Sequence, residues 1–126
     1  MQTRQSYIGI DIIEIARIDE AVLRWQNRFL QRVYTAAELG LYRGKIESLA
    51  VRFAAKEAVF KALNCPAGNI SWKEIEILSK SNDQPFVKLY GQAKKRADEL
   101  RLAGFDISLS HSRENAIALV IGIREE

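Results

Sequence analysis

The sequence predicts an α+β fold, in which helices pack on one face of a largely antiparallel sheet to form a single-domain sandwich over residues 1–126. The chain has 126 residues with 48% hydrophobic content, which is enough apolar material for one core. Its apolar residues follow helical spacing between residues 15 and 63 and alternate in the strands predicted after residue 72. The resulting order, β-α-α-β-β-α-β-β, is typical of helices layered on an antiparallel sheet.

The chain opens with a predicted strand and a long helix. Tyr7 to Ile13 is β-branched and apolar except at Gly9 and Asp11, which predicts a strand that is buried on both faces and ends near Asp11. Gly9 would permit a close approach of another backbone. One continuous helix is predicted from Ile15 to Tyr34, because apolar residues recur there at steps of three and four. These residues are Ile18, Val22, Trp25, Phe29 and Val33.

Two further helices are predicted before residue 64. Thr35 and Glu38 match a capping box, so a short helix begins there, runs to about Tyr42 and is broken by Gly44. Glu47 to Leu63 is rich in alanine, which has high helix propensity and allows close packing. This helix is expected to end in a left-handed cap, a proline and a loop. The corresponding residues are Asn64, Pro66 and Cys65–Asn69.

The second half of the chain predicts two pairs of strands and one helix. The elements are strands at Trp72–Leu78 and Pro85–Tyr90, a helix at Gly91–Leu102, and strands at Ile107–Ser110 and Ala116–Ile123. Ile75 and Ile77 alternate onto one face of their strand. Turns are predicted at Asn82–Pro85 and His111–Asn115, and Gly104 stops the helix.

Charge and cysteine content restrict the class of protein. The net charge of +3 and the pI of about 9.1 suit an anionic ligand or an acidic protein partner, but they fall short of a dedicated nucleic-acid binder. Cys65 is the only cysteine, so a reducing cytoplasm is the expected compartment. The N-terminus lacks the apolar run of a signal peptide, and Ala116–Ile123 is too short to span a bilayer, so no membrane is expected.

Two acids and a lysine form the strongest candidate for chemistry. Glu57 and Lys61 are four residues apart and therefore lie on one face of their helix. Such a pair is usually a solvated ion pair, and an acid such as Asp11 at a strand end is usually a cap or turn residue. The apolar neighbours of Glu57 indicate a buried helix, in which charges need partners or a metal. Asp11 and Glu57 together supply two hard oxygen ligands, which Mg²⁺ combines with water and substrate phosphate.

A histidine and a row of arginines are further candidates. His111 is the only histidine and is flanked by Ser110 and Ser112, with Arg113 next. Either it lies on an ordinary surface turn, or these donors converge on a terminal phosphate. The arginines form a basic stripe along the first helix, which is either a solvated face or a docking face for an acidic helix or nucleic acid. They are Arg17, Arg24, Arg28 and Arg32.

Taken together, these segments resemble the holo-acyl-carrier-protein synthases, the small class of 4′-phosphopantetheinyl transferases. The first family motif corresponds to Ile8–Asp11, and the second, which is the specific one, corresponds to Arg52–Lys61. A third element corresponds to Ser108–Ser112, followed by Ala116–Ala118. Weaker similarity covers Trp72–Ile77 and Pro85–Leu89. The resemblance therefore spans nearly the whole chain.

The resemblance implies a reaction in which a carrier-protein serine attacks the β-phosphate of coenzyme A, phosphopantetheine is transferred and 3′,5′-ADP leaves. Asp11 and Glu57 would hold Mg²⁺ on the pyrophosphate, and Lys61 would offset the charge that moves to the leaving group. Either Glu57 or a metal-bound water would be the general base. Contacts to the 3′-phosphate and nearby nucleotide would come from Arg52, His111 and Ser112.

The resemblance also implies partners. An acyl carrier protein of fatty acid or polyketide synthesis would present its acidic second helix to the first helix of this chain. The residues that would meet it are Arg17, Arg24 and Arg28. The family is trimeric, which implies a homotrimer with three sites at three interfaces, where His111 serves a site whose Asp11 comes from a neighbouring chain.

The sequence departs from the family pattern at three places. The loop after the second motif, Asn64–Gly68, has one glycine where the family is often glycine-rich, and Tyr42–Ile46 is shorter and less basic than in some members. Val51 replaces a glycine that is common before the arginine of the motif. Two other functions stay open on the residues: a non-catalytic binding module that uses the arginine stripe, and a metal-dependent pyrophosphate hydrolase with water as the acceptor.

Overall fold

A computed structural model describes residues 6–64 and 69–126 of the chain, and it confirms the α+β class. Within those residues the elements are β1 (Ile8–Glu14), α1 (Ile15–Trp25), α2 (Asn27–Val33), α3 (Ala36–Tyr42), α4 (Ile46–Leu63), a 3₁₀ turn (Trp72–Glu74), β2 (Ile75–Ser79), β3 (Pro85–Leu89), α5 (Gly91–Glu99), β4 (Leu102–His111) and β5 (Asn115–Arg124). The left-handed cap is confirmed, because Asn64 has φ of 49°. Most of the predicted loop Cys65–Asn69, including Pro66, lies outside the described residues.

The strands form two antiparallel sheets. The larger has the order β1-β5-β4, and the smaller pairs β2 with β3. In the larger sheet Asp11 is opposite Ala118, which in turn is opposite Leu109. Direct partners in an antiparallel pair share a face, and Ala118 is buried, so this row lies on the inner face beneath the helices.

Helix α4 packs directly on the inner face of the larger sheet. A Cβ atom placed on Gly9 would lie 1.8 Å from the carbonyl oxygen of Ala58, so only glycine allows the helix to come this close. Small residues on the helix contribute to the same approach, because Ala54, Ala58 and Ala62 are buried. The predicted close backbone approach at Gly9 is therefore confirmed.

The outer face of the larger sheet corrects the prediction for β1. The strand was expected to be buried on both faces, but Ile8, Ile10 and Ile12 are exposed. Alternate residues of a strand point to opposite faces, and in the described chain the helices cover only the inner one. The outer face is consequently apolar, since Ile121 and Ile123 of β5 are exposed as well.

The predicted helix from Ile15 to Tyr34 is wrong as a single element. It is broken at Gln26, which has φ of 49° and ψ of −127° and separates α1 from α2. The break changes the buried face, so that α2 buries Leu30 and Val33. Trp25, which was assigned to the buried stripe, is 48% exposed for this reason.

Two boundaries in the second half also differ from the prediction. Helix α5 ends at Glu99 rather than Leu102, because Arg101 has φ of 60° and Leu102 already begins β4. β4 is therefore longer than predicted and pairs with β5 along its length, with one register shift after Leu102. Trp72–Glu74 is a 3₁₀ turn rather than the start of a strand.

Replacing Gly9 with alanine is expected to lower the free energy of unfolding by about 1–3 kcal/mol, because the new methyl group must push α4 away from β1. Urea denaturation of the purified variant measures this change. Gly40→Ala is the matched control, since Gly40 lies inside α3 with no atom within 4 Å of an added Cβ. That control should gain about 0.5–1 kcal/mol, and equal stability of both variants would contradict the packing argument.

Candidate active site

The inner face of the sheet brings together three residues that the sequence singled out. The Lys61 ammonium lies 3.0 Å from the Asp11 carboxylate and also donates to the carbonyl oxygen of Ile10 at 3.0 Å. Glu57 lies one helical turn before Lys61 on α4 and is close enough to feel the charges of both residues. Lys61 is more exposed than the sequence predicted, with 55% of its side chain accessible. The cluster therefore opens to solvent on the lysine side.

The pKa of Glu57 is raised above its ordinary value of 4.5. Partial burial is the main cause, the negative charge of Asp11 adds to it, and the positive charge of Lys61 opposes it. A single ammonium thus does not fully compensate the two carboxylates. Another cation at the same place would favour the ionised form of both acids.

The donor set of this cluster suits a hard divalent cation. Asp11 and Glu57 offer carboxylate oxygens, and the described residues contain no group of three or more histidine, cysteine, aspartate or glutamate side chains that could hold a metal. A cation bound here would take two protein ligands and complete its shell with water or ligand oxygens, which is the preference of Mg²⁺ rather than of zinc. The residues present therefore fit the predicted metal.

A buried ion pair sets the rotation of α4 and was not foreseen. Lys56 lies 2.8 Å from Glu38, and both side chains are fully buried. Lys56 also donates to the carbonyl oxygens of Trp72 and Ile75, so each of its three N–H groups has an acceptor. Burial lowers the pKa of Lys56, while Glu38 opposes that effect. Because neighbouring helical residues diverge by about 100°, fixing Lys56 towards β2 turns Glu57 away from it.

A cavity of about 360 Å³ lies between the N-terminal part of α4, the β2–β3 hairpin and β4. Its lining includes Arg52 and His111 from the sequence prediction. Sequence reasoning missed Ser79 and Asp83, which reach the same cavity from the hairpin. Val51, which replaces a family glycine, also lines it. The cavity thus combines hydrogen-bond donors with apolar walls.

Arg52 is held tightly in this cavity and is only 6% exposed. Its Nε donates to the carbonyl oxygen of Ile77, and its two terminal nitrogens donate to the carbonyl oxygen of Ser48 and the hydroxyl of Ser79. Burial lowers its pKa, but a guanidinium remains charged. Ser48 is one helical turn before Arg52, but Ile77 and Ser79 are distant in sequence, so their contribution could not be read from local spacing.

His111 and Ser112 lie at the turn between β4 and β5. His111 is exposed, and its Nδ1 lies 3.4 Å from the carbonyl oxygen of Ser112. The Ser112 hydroxyl accepts from the backbone N–H of Asn115 and closes the turn. His111 shares the inner face with Asp11 but lies two strands away, at least about 10 Å across the sheet. One chain therefore does not bring His111 and Asp11 into contact.

The predicted arginine stripe lies on an exposed surface made by α1 and α2. Arg17, Arg24 and Arg28 are all exposed, and Arg24 stacks over the ring of Trp25 at 5.1 Å. Two shallow cavities of about 490 and 530 Å³ adjoin these side chains. The exposed Leu23 and Trp25 place apolar area between the positive charges, a combination that suits an amphipathic acidic partner.

Comparisons with known proteins identify the family to which the chain belongs. The family model described as the 4′-phosphopantetheinyl transferase superfamily matches residues 7–120. The chain is 54% identical to a holo-[acyl-carrier-protein] synthase of Dehalococcoides mccartyi, over 91% of this chain and 96% of that protein. It is 45% identical to the synthase of Herpetosiphon aurantiacus, again over 91% and 96% of the two chains. The structure also resembles the Helicobacter pylori holo-[acyl-carrier-protein] synthase in complex with coenzyme A, with a TM-score of 0.82, 36% identity and coverage of 91% and 98%.

Fold and sequence together define a transferase. The chain belongs to the 4′-phosphopantetheinyl transferase superfamily, which its match over residues 7–120 and its identity to curated members establish. None of the helices in the described part of the chain is long and apolar enough to cross a bilayer.

Glu57→Gln in metal-free buffer is expected to stabilise the protein at neutral pH. A raised carboxyl pKa means that the folded state binds the proton more tightly than the unfolded state, so wild-type stability recovers as the pH falls through the folded-state pKa. The difference in free energy of unfolding between variant and wild type should therefore be positive at pH 7 and shrink towards pH 4.5. Urea denaturation at several pH values measures it.

Asp11→Asn is the companion variant, because it removes one of the charges that raise the pKa of Glu57. In that background the recovery of stability should move to lower pH. A difference between wild type and Glu57→Gln that stays constant from pH 7 to 4.5 would contradict the electrostatic account.

Proposed function

We propose that this transferase moves the 4′-phosphopantetheine group of coenzyme A to a serine of an apo acyl carrier protein, with release of 3′,5′-ADP and a requirement for Mg²⁺. The observation that carries the proposal is the cluster of Asp11, Glu57 and Lys61, in which two carboxylates and an ammonium meet at an open edge of the inner face. The Helicobacter pylori relative bound to coenzyme A supports the choice of donor substrate.

Asp11 and Glu57 would hold the metal against the coenzyme A pyrophosphate. Two carboxylates leave most of an octahedral shell to water and phosphate oxygens, as Mg²⁺ requires. When bound, Mg²⁺ would supply positive charge to the pyrophosphate and so assist phosphoryl transfer. Glu57 is partly buried beside Asp11, and burial first and the charge of Asp11 second raise its pKa, so the ionised carboxylate would gain from a bound cation.

Lys61 would stabilise the charge that develops during transfer. Its ammonium is exposed and reaches past Asp11, so a pyrophosphate at the cluster would lie within its range. Charge on the leaving 3′,5′-ADP increases as the phosphorus–oxygen bond breaks, and a fixed ammonium lowers the energy of that state. Asp11 orients Lys61 through their 3.0 Å contact.

Either Glu57 or a metal-bound water would accept the proton of the carrier serine. Glu57 lies beside Asp11 in the cluster that would hold the pyrophosphate, and a bound metal would lower the pKa of its water. The serine oxygen would then form the new bond to the β-phosphorus as the bond to the 3′,5′-ADP oxygen breaks.

The cavity that contains Arg52 and His111 would receive the nucleotide end of coenzyme A. Arg52 offers a fixed guanidinium and His111 an exposed imidazole, both suited to the 3′-phosphate. Ser112 would contribute from the turn that follows, although its hydroxyl already accepts the N–H of Asn115. This cavity and the acidic cluster are separated within one chain, so a single molecule does not present both ends of the site together.

A homotrimer would join the two halves at subunit interfaces. The outer face of the sheet offers exposed apolar side chains, among them Ile8, Ile10 and Ile12, and such a contiguous face is typical of an assembly surface. Burial of this face against a second copy would let the His111 cavity of one chain meet the Asp11 cluster of its neighbour. Residues 1–126 would form one domain in each copy.

The carrier protein would dock on the arginine surface. Arg17, Arg24 and Arg28 provide positive charge for an acidic helix, and Trp25 adds an apolar anchor between them. Carriers of fatty acid or polyketide synthesis would present such helices. The single cysteine, Cys65, supports a reducing cytoplasm as the compartment of the reaction. We assign no nucleic-acid or membrane partner.

Incubation of the protein with coenzyme A, Mg²⁺ and an apo acyl carrier protein is expected to add the mass of phosphopantetheine to the carrier and to release 3′,5′-ADP. Asp11→Asn should lower the rate at least about a hundredfold, because it removes a metal ligand and the partner of Lys61. Glu57→Gln in the same assay tests the second ligand. Intact-mass spectrometry of the carrier measures transfer, and chelation by EDTA should abolish it.

Arg24→Glu is the matched control for this assay. It lies on the docking surface, away from the chemistry, so it should raise the KM for the carrier while the rate at saturating carrier is kept. If none of several carriers gains this mass, the result would contradict the transferase proposal. Release of 3′,5′-ADP without a carrier would identify a hydrolase instead, and carrier binding that ignores both Mg²⁺ and Glu57 would identify a binding module.

Ile10→Glu is expected to convert the trimer into monomers and to abolish transfer, since it places a charge on the outer apolar face. Sedimentation velocity measures the oligomeric state. Leu41→Glu is the control, because Leu41 is 53% exposed, close to the 55% of Ile10, but lies on α3 away from the sheet. A monomeric wild type, or a trimeric Ile10→Glu variant, would overturn the assembly.

A further inference from the structure

The Arg52 side chain stacks on the aromatic ring of Tyr42, which does not line the cavity. The guanidinium carbon of Arg52 lies 3.6 Å from the centre of the Tyr42 ring, which is contact distance for a cation stacked on a π face. Tyr42 ends helix α3 and does not line the 360 Å³ cavity. The Tyr42 hydroxyl also reaches the Ser79 hydroxyl at 3.5 Å, the same oxygen that accepts from Arg52. Ring, guanidinium and serine therefore form one connected unit.

The hydrogen bonds of Arg52 leave its charge available. A guanidinium has five N–H groups, and the structure assigns three of them to Ile77, Ser48 and Ser79. All three acceptors are neutral, and Arg52 takes part in none of the salt bridges among the described residues. Asp83 lines the same cavity without forming an ion pair with it. One N–H on each terminal nitrogen remains for an anion.

We propose that Tyr42 is a positioning residue that presents Arg52 to a phosphate monoester in this cavity. The ring covers one face of the guanidinium, fixes its plane and keeps water from that side. Less water strengthens the attraction between the guanidinium and an incoming phosphate, and a fixed plane preserves the fork geometry that phosphate oxygens accept. The inference rests on the proposed function in one respect, that the phosphate is the 3′-phosphate of coenzyme A.

A merely structural role would affect every substrate equally. Tyr42 touches Arg52 and Ser79 but none of the residues of the acidic cluster, so its effect should follow the 3′-phosphate alone. Dephospho-coenzyme A, which lacks that phosphate and keeps the pyrophosphate, separates the two roles. The decisive quantity is the ratio of kcat/KM for coenzyme A to kcat/KM for dephospho-coenzyme A.

The experiment compares wild type, Tyr42→Leu and Tyr42→Phe with both substrates. Tyr42→Leu should lower the ratio about tenfold, through a higher KM for coenzyme A, which is the range expected for loss of a desolvated cation–π contact. Its kcat/KM for dephospho-coenzyme A should stay near that of wild type. Tyr42→Phe keeps the ring and loses only the 3.5 Å contact, so its ratio should stay within about threefold of wild type.

Ser79→Ala is the second variant, which retains the ring and removes the acceptor that Arg52 and Tyr42 share. Ser79→Ala should also lower the ratio of kcat/KM for coenzyme A to kcat/KM for dephospho-coenzyme A. It tests the proposal if Tyr42→Leu does not fold. A wild-type ratio in Tyr42→Leu or in Ser79→Ala, or an equal loss with both substrates, would overturn the proposal.

Calorimetric binding of 3′,5′-ADP and of 5′-AMP separates this inference from the transferase proposal. A wild type that transfers nothing but still prefers 3′,5′-ADP, with the preference reduced about tenfold in Tyr42→Leu, would leave the role of Tyr42 standing without the transferase activity. Equal binding of the two nucleotides by wild type would overturn the phosphate assignment itself.

Discussion

The contact between Gly9 and Ala58 is the constraint on which the rest of the molecule depends. Backbone meets backbone there, because no side chain fits between β1 and α4. Residues two apart on a strand share a face, so the same contact that brings α4 onto Gly9 also carries Asp11 to the helix surface that bears Glu57 and Lys61. Gly9 therefore positions Asp11, the acid that ends the first motif. The two residues must be two positions apart, because alternate side chains of a strand share a face.

Close approach fixes the distance of α4 from the sheet but not its rotation. The buried pair of Lys56 and Glu38 supplies the second constraint, since a lysine with all three N–H groups satisfied has one arrangement of low energy. Rotation of the helix would break these bonds inside the core, where each costs more than in water. Lys56 thus keeps the Glu57 side chain facing Asp11, although the Lys56 ammonium contacts neither carboxylate.

The sequence predicted those parts of the site that depend on local spacing. The i to i+4 relation of Glu57 and Lys61, the capping box at Thr35 and the need for Gly9 are properties of single elements, and the structure confirms them. The break at Gln26 could not be predicted, because the heptad-like spacing of apolar residues continues across it. Two of the three acceptors of Arg52, Ile77 and Ser79, come from β2, which is distant in sequence, so local pattern carries no information about them.

The same reasoning explains why burial of β1 was predicted incorrectly. A strand rich in isoleucine is expected to be buried on both faces, but in the described part of the chain helices cover only one face of the sheet. Under the proposed assembly, the apolar pattern would belong to the oligomer rather than to the single chain. The separation of Asp11 from His111 is a second observation that supports this proposal, since both lie on the inner face and two strands keep them apart. In the proposed assembly, a second copy of the chain would cover the exposed apolar face and would also bring together the two parts of the proposed site.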